Sequence, residues 1–235
     1  MVIMNDINKI FKGQINFTKE NEIKTIEIDW TAHSLGIINI AKHFEPDFKV
    51  TNENKLILKL LLMYFTGNSM FEAELKDLSG VSGSLNKGLM LIGGVGTGKS
   101  LLFKVFKEYT MKVLQTNSYQ MYTAIDIIDN ANINGTEYLD LFSHRYRNEK
   151  PNPIRCYIDD IAAKNEEVNH YGTKINVVEQ LLSLRYNVFS RYGTLTHCSS
   201  NIYPSEFETV YDLRIKDRMK EMFNIIELGG ESFRK

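Results

Sequence analysis

Eight consecutive residues, Gly93-Gly94-Val95-Gly96-Thr97-Gly98-Lys99-Ser100, have the residue types and spacing of a phosphate-binding loop, G-x-x-x-x-G-K-[ST]. Glycines let backbone N–H groups turn inward around phosphate oxygens, and a helix that starts there points its positive dipole end at them. Lys99 adds a point charge for the β- and γ-phosphates, and Ser100 offers a hydroxyl to Mg²⁺. The flanks fit, with apolar Gly88-Leu89-Met90-Leu91-Ile92 before the loop and helix-like Leu101 to Phe106 after it. The predicted nucleotide-binding segment therefore runs from Gly93 to Leu101, and its ligand is a nucleoside triphosphate, ATP. About 60 residues downstream, the apolar run Ile154-Arg155-Cys156-Tyr157-Ile158 delivers two carboxylates, Asp159 and Asp160, at what reads as a strand end. This is the form of a Walker B element. In that role Asp159 holds Mg²⁺, directly or through water, and Asp160 orients or deprotonates the attacking water. Many proteins of this architecture carry Glu at the second position; the shorter Asp160 predicts slower hydrolysis.

Three further groups are ambiguous by position alone. Asn201 follows Ser199-Ser200 at the end of a predicted strand. It fits a turn residue or helix cap as well as an amide that bonds the attacking water or a γ-phosphate oxygen. Arg214 and Arg218 stand four apart on one helical face. They fit a solubilising surface pair, or two guanidinium groups that reach the nucleotide of a neighbouring subunit. The basic, aromatic segment His144-Arg145-Tyr146-Arg147-Asn148 fits a solvated helix end before Pro151 and Pro153, or a contact to DNA phosphates and bases.

Positioning these groups requires a particular arrangement of elements. After the phosphate loop the chain predicts a helix over about 99–115, a strand over 118–123 and helices over 124–131 and 136–147. A strand over 154–158, a helix over 175–191, a strand over 194–199, a helix over 212–222 and a strand over 223–228 follow. Alternation of this kind implies a parallel sheet covered by helices on both faces, with ligand at the carboxyl ends of the strands. Upstream, Thr51-Asn52 can cap a helix through Leu56, Ile57, Leu60, Leu61 and Tyr64, ended by Gly67; Ser79 to Ser84 reads as a Gly/Ser loop. The alternation in Ile23-Lys24-Thr25-Ile26-Glu27-Ile28 suggests a strand and hairpin, not long helices, within residues 1–50. We read residues 1–50 as a small extension that binds a partner, and residues 51–235 as the nucleotide-binding domain.

The 235-residue composition, 43% hydrophobic and 24% charged with net charge −1, is that of an ordinary globular domain. A charge so near zero confines any nucleic-acid contact to a local patch. No segment reads as a membrane span or a signal peptide, so the expectation is a cytoplasmic protein without a membrane partner. Cys156 and Cys198 fall in predicted buried strands, where small apolar packing explains them, and His33, His43, His144, His170 and His197 lack ligand spacing.

Several spaced motifs in one order resemble the DnaC/IstB-like family of AAA+ ATPases. They are Tyr157-Ile158-Asp159-Asp160-Ile161, Glu166-Glu167, Tyr171-Gly172, Leu181-Leu182, Arg185-Tyr186, Ser199-Ser200-Asn201-Ile202, Pro204, Arg214-x-x-x-Arg218-Met219 and the closing Leu228-Gly229-Gly230-Glu231-Ser232-Phe233-Arg234. The likeness covers roughly residues 86–235. It implies an AAA+ P-loop fold with little or no C-terminal lid, Asn201 as the sensor-1 residue, Arg218 as the arginine finger with Arg214 as its rival, and Arg234 as a late contact. It also implies an ATP-dependent oligomer acting on single-stranded DNA in replication as a helicase loader, with a replicative helicase as client. Two alternatives stay open: an ATP-dependent partner of a transposase, and a nucleotide-dependent structural adaptor with weak hydrolysis. Ser100 departs mildly from the family's usual Thr, and no cysteine cluster of the zinc-binding kind precedes the domain.

Overall fold

A computed structural model describes residues 30–229, except 117, 144, 148–149, 164–165 and 171–172. The first described element is a helix, α1 (Trp30–Phe44), which corrects the expectation of strand and hairpin for the part of the extension that is described. Its buried residues Gly36, Ile37, Ile40 and Ala41 recur at three- and four-residue spacing, a helical stripe that the alternation at 23–28 obscured. Residues 23–28 themselves lie outside the described residues. Helix α2 (Asn52–Phe65) begins as expected: Thr51 Oγ1 accepts from Asn54 N, and Asn54 Oδ1 accepts from Thr51 N in return. A further helix, α3 (Met70–Ser79), precedes the Gly/Ser loop and ends at Gly80, whose φ of +74° few other residues adopt.

The chain then runs β1 (Gly88–Ile92), α4 (Lys99–Tyr109), a π-helical turn Thr110–Leu114, β2 (Gln120–Thr123), α5 (Ala124–Asn134) and a 3₁₀ helix Thr136–Phe142. The helix expected to continue to 147 is instead a hairpin of β3 (Arg145–Arg147) and β4 (Lys150–Asn152). Pro151 lacks an N–H and forces Lys150 away from helical geometry, so the segment is extended. After β5 (Cys156–Ile161) comes a second hairpin, β6 (Glu167–His170) and β7 (Thr173–Asn176), then α6 (Val177–Tyr192), capped by Asn176. The chain continues with β8 (Thr196–Ser200), a 3₁₀ helix Pro204–Thr209, α7 (Leu213–Met222), capped by Asp212, and β9 (Phe223–Glu227).

Five strands form one parallel sheet in the order β2-β5-β8-β1-β9. Alternate side chains leave its two sides. Leu89 and Leu91 of β1, Tyr157 and Ile226 join α1 to α4 in one core, while Met90, Ile92, Cys156, Ile158 and Cys198 join α5, α6 and α7 in the other. A side chain at Gly88 would meet Thr196 O at 1.7 Å, so only glycine lets β1 lie this close to β8. The predicted parallel sheet sandwiched by helices is therefore the observed fold. Cys156 and Cys198 are buried free thiols; burial raises the pKa of both, that of Cys198 well above the usual thiol range. Among the described residues no helix is long and apolar enough to cross a membrane.

Candidate functional site

Three segments converge at the carboxyl ends of β1, β5 and β8. The loop from Gly93 to Gly98 links β1 to α4, with Gly96 and Gly98 at φ of +84° and +90°. Gly98 is the residue before the first turn of α4, so the helix N-terminus opens directly onto the loop. Thr97 is buried and donates its hydroxyl to Gly94 O at 2.9 Å, closing the turn, while Gly94 and Val95 are exposed. Leu101 is partly buried and packs its side chain against the core.

Lys99 is buried, and its ammonium donates to Gly93 O at 2.6 Å, Gly94 O at 2.8 Å and Asn201 Oδ1 at 2.7 Å. The same Asn201 side chain donates through Nδ2 to Asp160 Oδ1. Position 201 is thus an amide bridge between the loop lysine and the second acid of β5.

Asp159 is held from three sides. Ser100 Oγ donates to its Oδ1 at 2.8 Å, Ser199 Oγ at 2.5 Å and the Tyr157 hydroxyl at 2.5 Å. Among the described residues, its other oxygen receives no hydrogen bond. A carboxylate oxygen fixed in this way, next to the Ser100 hydroxyl, offers the hard donors that Mg²⁺ takes, with phosphate and water completing its shell. Tyr157 and Ser199 stand in the sequence motifs, but the sequence alone gives neither of them a role at the site. Tyr157 sits two residues before Asp159, hence on the same face of the strand, and that period was the available signal.

Asp160 occupies a bulge. Ile158 pairs with Cys198 and Ile161 with Ser200, so Asp159 and Asp160 together oppose Ser199 alone. Asp160 has φ of +59°, Ala162 has φ of +62°, and Asp160 N donates to Ser199 Oγ at 2.9 Å. The bulge re-aims the strand so that both acids face the loop, one toward Ser100 and the other toward Asn201. Partial burial and the nearby Asp159 charge raise the Asp160 carboxyl above the usual range, opposed by Lys99 and Asn201.

The arginines lie elsewhere. Arg214 and Arg218 line a cleft of about 550 Å³ with Glu179, Ser183 and Asp212, and no residue of 93–101 lines it. Arg218 Nη1 donates to Ser183 Oγ at 3.1 Å, and its guanidinium stacks 4.8 Å from the centroid of the Tyr186 ring. Arg214 is exposed. The structure therefore brings together the loop, Asp159, Asp160 and Asn201, and keeps both arginines apart from them. His144, Asn148, Tyr171, Gly172 and Arg234 lie outside the described residues.

Neither a protein-family profile nor a curated protein sequence matches the chain. Solved structures do. A primosome component from Streptococcus pyogenes superposes with a TM-score of 0.54 at 18% identity over 85% of this chain and 98% of that one. The DnaC helicase loader superposes with a TM-score of 0.53 at 14% identity over 79% of this chain and 95% of that one. A DNA replication initiation factor gives 0.51 at 15% identity over 79% of this chain; the chain spans about half the length of that protein, 49%. At these identities the likeness carries the fold, and it agrees with the family resemblance read from the motifs.

Proposed function

From a chain with the AAA+ P-loop ATPase fold shared by helicase loaders, we propose an ATP-hydrolysing assembly factor of DNA replication that acts as a helicase loader on single-stranded DNA. The carrying observation is the Asn201 bridge between Lys99 and Asp160, beside an Asp159 that three hydroxyls hold in place. A plain phosphate-binding turn needs neither.

In this reading the loop N–H groups and Lys99 bind the β- and γ-phosphates of ATP, Lys99 exchanging loop carbonyls for phosphate oxygens. Ser100 and Asp159 would hold Mg²⁺, which neutralises charge on the phosphates. Asp160 accepts a proton from a water aligned by Asn201. The water oxygen bonds to the γ-phosphorus as the bond to the β,γ-bridging oxygen breaks, leaving ADP and phosphate. Arg218, or its neighbour Arg214, acts on the nucleotide of the next subunit, which makes the working form an oligomer. Residues 1–50 serve as the partner-binding extension, with a replicative helicase as the client, and the protein works in the cytoplasm.

The test is the ATPase rate and oligomeric mass, with and without single-stranded DNA, of the wild type and Asp159→Ala. DNA-stimulated turnover and ATP-dependent assembly, both lost in the variant, support the loader reading. Tight ATP binding without turnover or response to DNA supports a nucleotide-dependent adaptor instead, a reading that the short Asp160 favours.

A further inference from the structure

Glu166 is 3% exposed and forms no ion pair among the described residues. Its Oε1 accepts from the Tyr211 hydroxyl at 3.2 Å; its Oε2 is buried with no hydrogen bond of normal geometry, and the Ala162 and Ala163 N–H groups and the Asn176 side chain lie near enough to favour the charged carboxylate. A buried carboxyl with so few hydrogen bonds of normal geometry is unfavourable, and an apolar residue in its place would avoid that cost. Burial pushes its pKa up to about 7. What this side chain does for the protein is visible in what it touches.

Tyr211 has one hydroxyl hydrogen. Donating it to Glu166 aims an oxygen lone pair at Ala162 N, which donates to Tyr211 at 2.8 Å. Ala162 and Asp160 both hold left-handed φ values, so the turn after the two acids persists only where its surroundings hold it. Tyr211 also immediately precedes Asp212, which caps α7, the helix of Arg214 and Arg218. Asp212 N in turn donates to Glu179 of α6 at 2.8 Å, and Glu166 O accepts from Val177 N at the start of that helix at 3.0 Å.

We infer that Glu166 is a positioning residue: through Tyr211 it ties the strained turn that presents Asp160 to the base of the arginine helix. One buried junction then fixes the placement of the water-facing acid in its own site and of the arginines that a neighbour would use. This rests on the reading that both groups serve one ATP reaction.

Three variants test it: Glu166→Leu, Tyr211→Phe and Glu166→Gln. The readouts are kcat and KM for ATP, and amide hydrogen exchange over residues 160–163. The expected result for Glu166→Leu and Tyr211→Phe is a kcat lower by about ten-fold, KM within about two-fold, and faster exchange at 160–163. Glu166→Gln keeps an acceptor for Tyr211 and is expected to hold kcat within about three-fold of wild type. Unchanged kcat in the Leu and Phe variants overturns the inference, whether or not exchange moves. Should Glu166→Leu fail to fold, Tyr211→Phe, which preserves the ring, decides. A wild type that binds ATP but never turns over overturns the ATPase reading instead, and exchange at 160–163 alone then decides whether the tie exists.

Discussion

Asn201 donates its amide to Asp160 across the carboxyl ends of β8 and β5, and the same side chain accepts from Lys99 at 2.7 Å. A neutral amide therefore stands between the loop ammonium and the second acid of β5, the groups to which the proposed mechanism gives the phosphates and the water's proton. Its two ends match the two partners: oxygen for the ammonium, N–H for the carboxylate. Asn201→Asp would reverse one end and bring a second negative charge against Asp160. For Asn201→Ala, kcat for ATP is expected to fall by about 10²-fold, with nucleotide affinity changed far less, because Lys99 keeps Gly93 O and Gly94 O. Steady-state kinetics alongside a fluorescent-nucleotide titration separates the two effects; equal losses in kcat and affinity would refute the assignment.

Arg218 is held by Ser183 and Tyr186, whereas Arg214 is exposed. A guanidinium already held in one orientation loses less freedom on meeting a phosphate, so Arg218 is the expected finger. Subunits carrying Arg218→Ala have an intact phosphate loop, and Lys99→Ala subunits have an intact Arg218. Mixing the two is expected to restore ATPase that neither shows alone, while Arg214→Ala alone keeps most of its activity. Rescue of Arg214→Ala instead would exchange the two roles.

His197 sits among Tyr64, Phe65, Phe103 and Tyr119 and accepts from Leu89 N at 3.1 Å. Burial, aided by Arg155 and Arg185, lowers its pKa to about 3 from 6.5. The unfolded chain then binds a proton that the folded chain refuses. This group's contribution is whole above pH 6.5 and falls by up to about 1.4 kcal/mol per pH unit as pH drops from there toward 3. Glu166 runs the other way: its pKa is raised from 4.5 to about 7, so its cost is absent below pH 4.5, grows as pH rises from there toward 7 and is constant above. Denaturant unfolding at pH 4.5, 6.5 and 8 is expected to show a shallower acid loss in His197→Gln, and a gain at pH 8 in Glu166→Gln that vanishes at pH 4.5. Parallel curves for wild type and variants would contradict both.

Arg185 is fully buried, yet its donors meet neutral acceptors: Thr196 Oγ1 at 2.8 Å, Phe142 O at 2.7 Å, Ile154 O at 3.0 Å and Leu195 O at 3.4 Å. It ties α6 to the entrances of β5 and β8 and to the 3₁₀ helix before the first hairpin. Arg185→Met leaves those acceptors buried without a donor and is expected to destabilise the fold by about 3 kcal/mol or more. Arg185→Lys, with a different donor geometry, should recover little of it. A loss under about 1 kcal/mol in urea titration would show that water replaces the guanidinium.

Where local chemistry decides structure, the sequence was readable. The phosphate loop, the Thr51 cap and the alternation of strands with helices each follow from a few adjacent residues, and Asp159, Asp160 and Asn201 meet because their strands are neighbours in a parallel sheet. Other features depend on contacts between distant segments. Helix α1 was hidden because its stripe is short and makes sense only against α4, where the Tyr109 hydroxyl also meets His33 Nδ1 at 2.6 Å. The hairpin at 145–152 departs from the expected helix because Pro151 does not merely end a helix there but forbids one. The roles of Tyr157 and Ser199 are not legible in the motifs that contain them, because hydroxyls in a buried strand carry no signature until a carboxylate is placed between them. The bulge that turns Asp160 toward Asn201 has no local sequence mark at all.

The strand that leads into the phosphate loop pairs only with late partners: Met90 with Cys198 in β8, and Gly88 to Ile92 with Phe223 to Glu227 in β9. During synthesis, β1 and its loop leave the ribosome long before either flanking strand exists. The phosphate grip can therefore close only after more than a hundred further residues have emerged, and its assembly carries the slow loop closure of high contact order. Until then Leu89 to Ile92, an apolar strand open on both edges, must be kept from other chains. For a nascent chain, ATP could act as a template only in the last moments of folding.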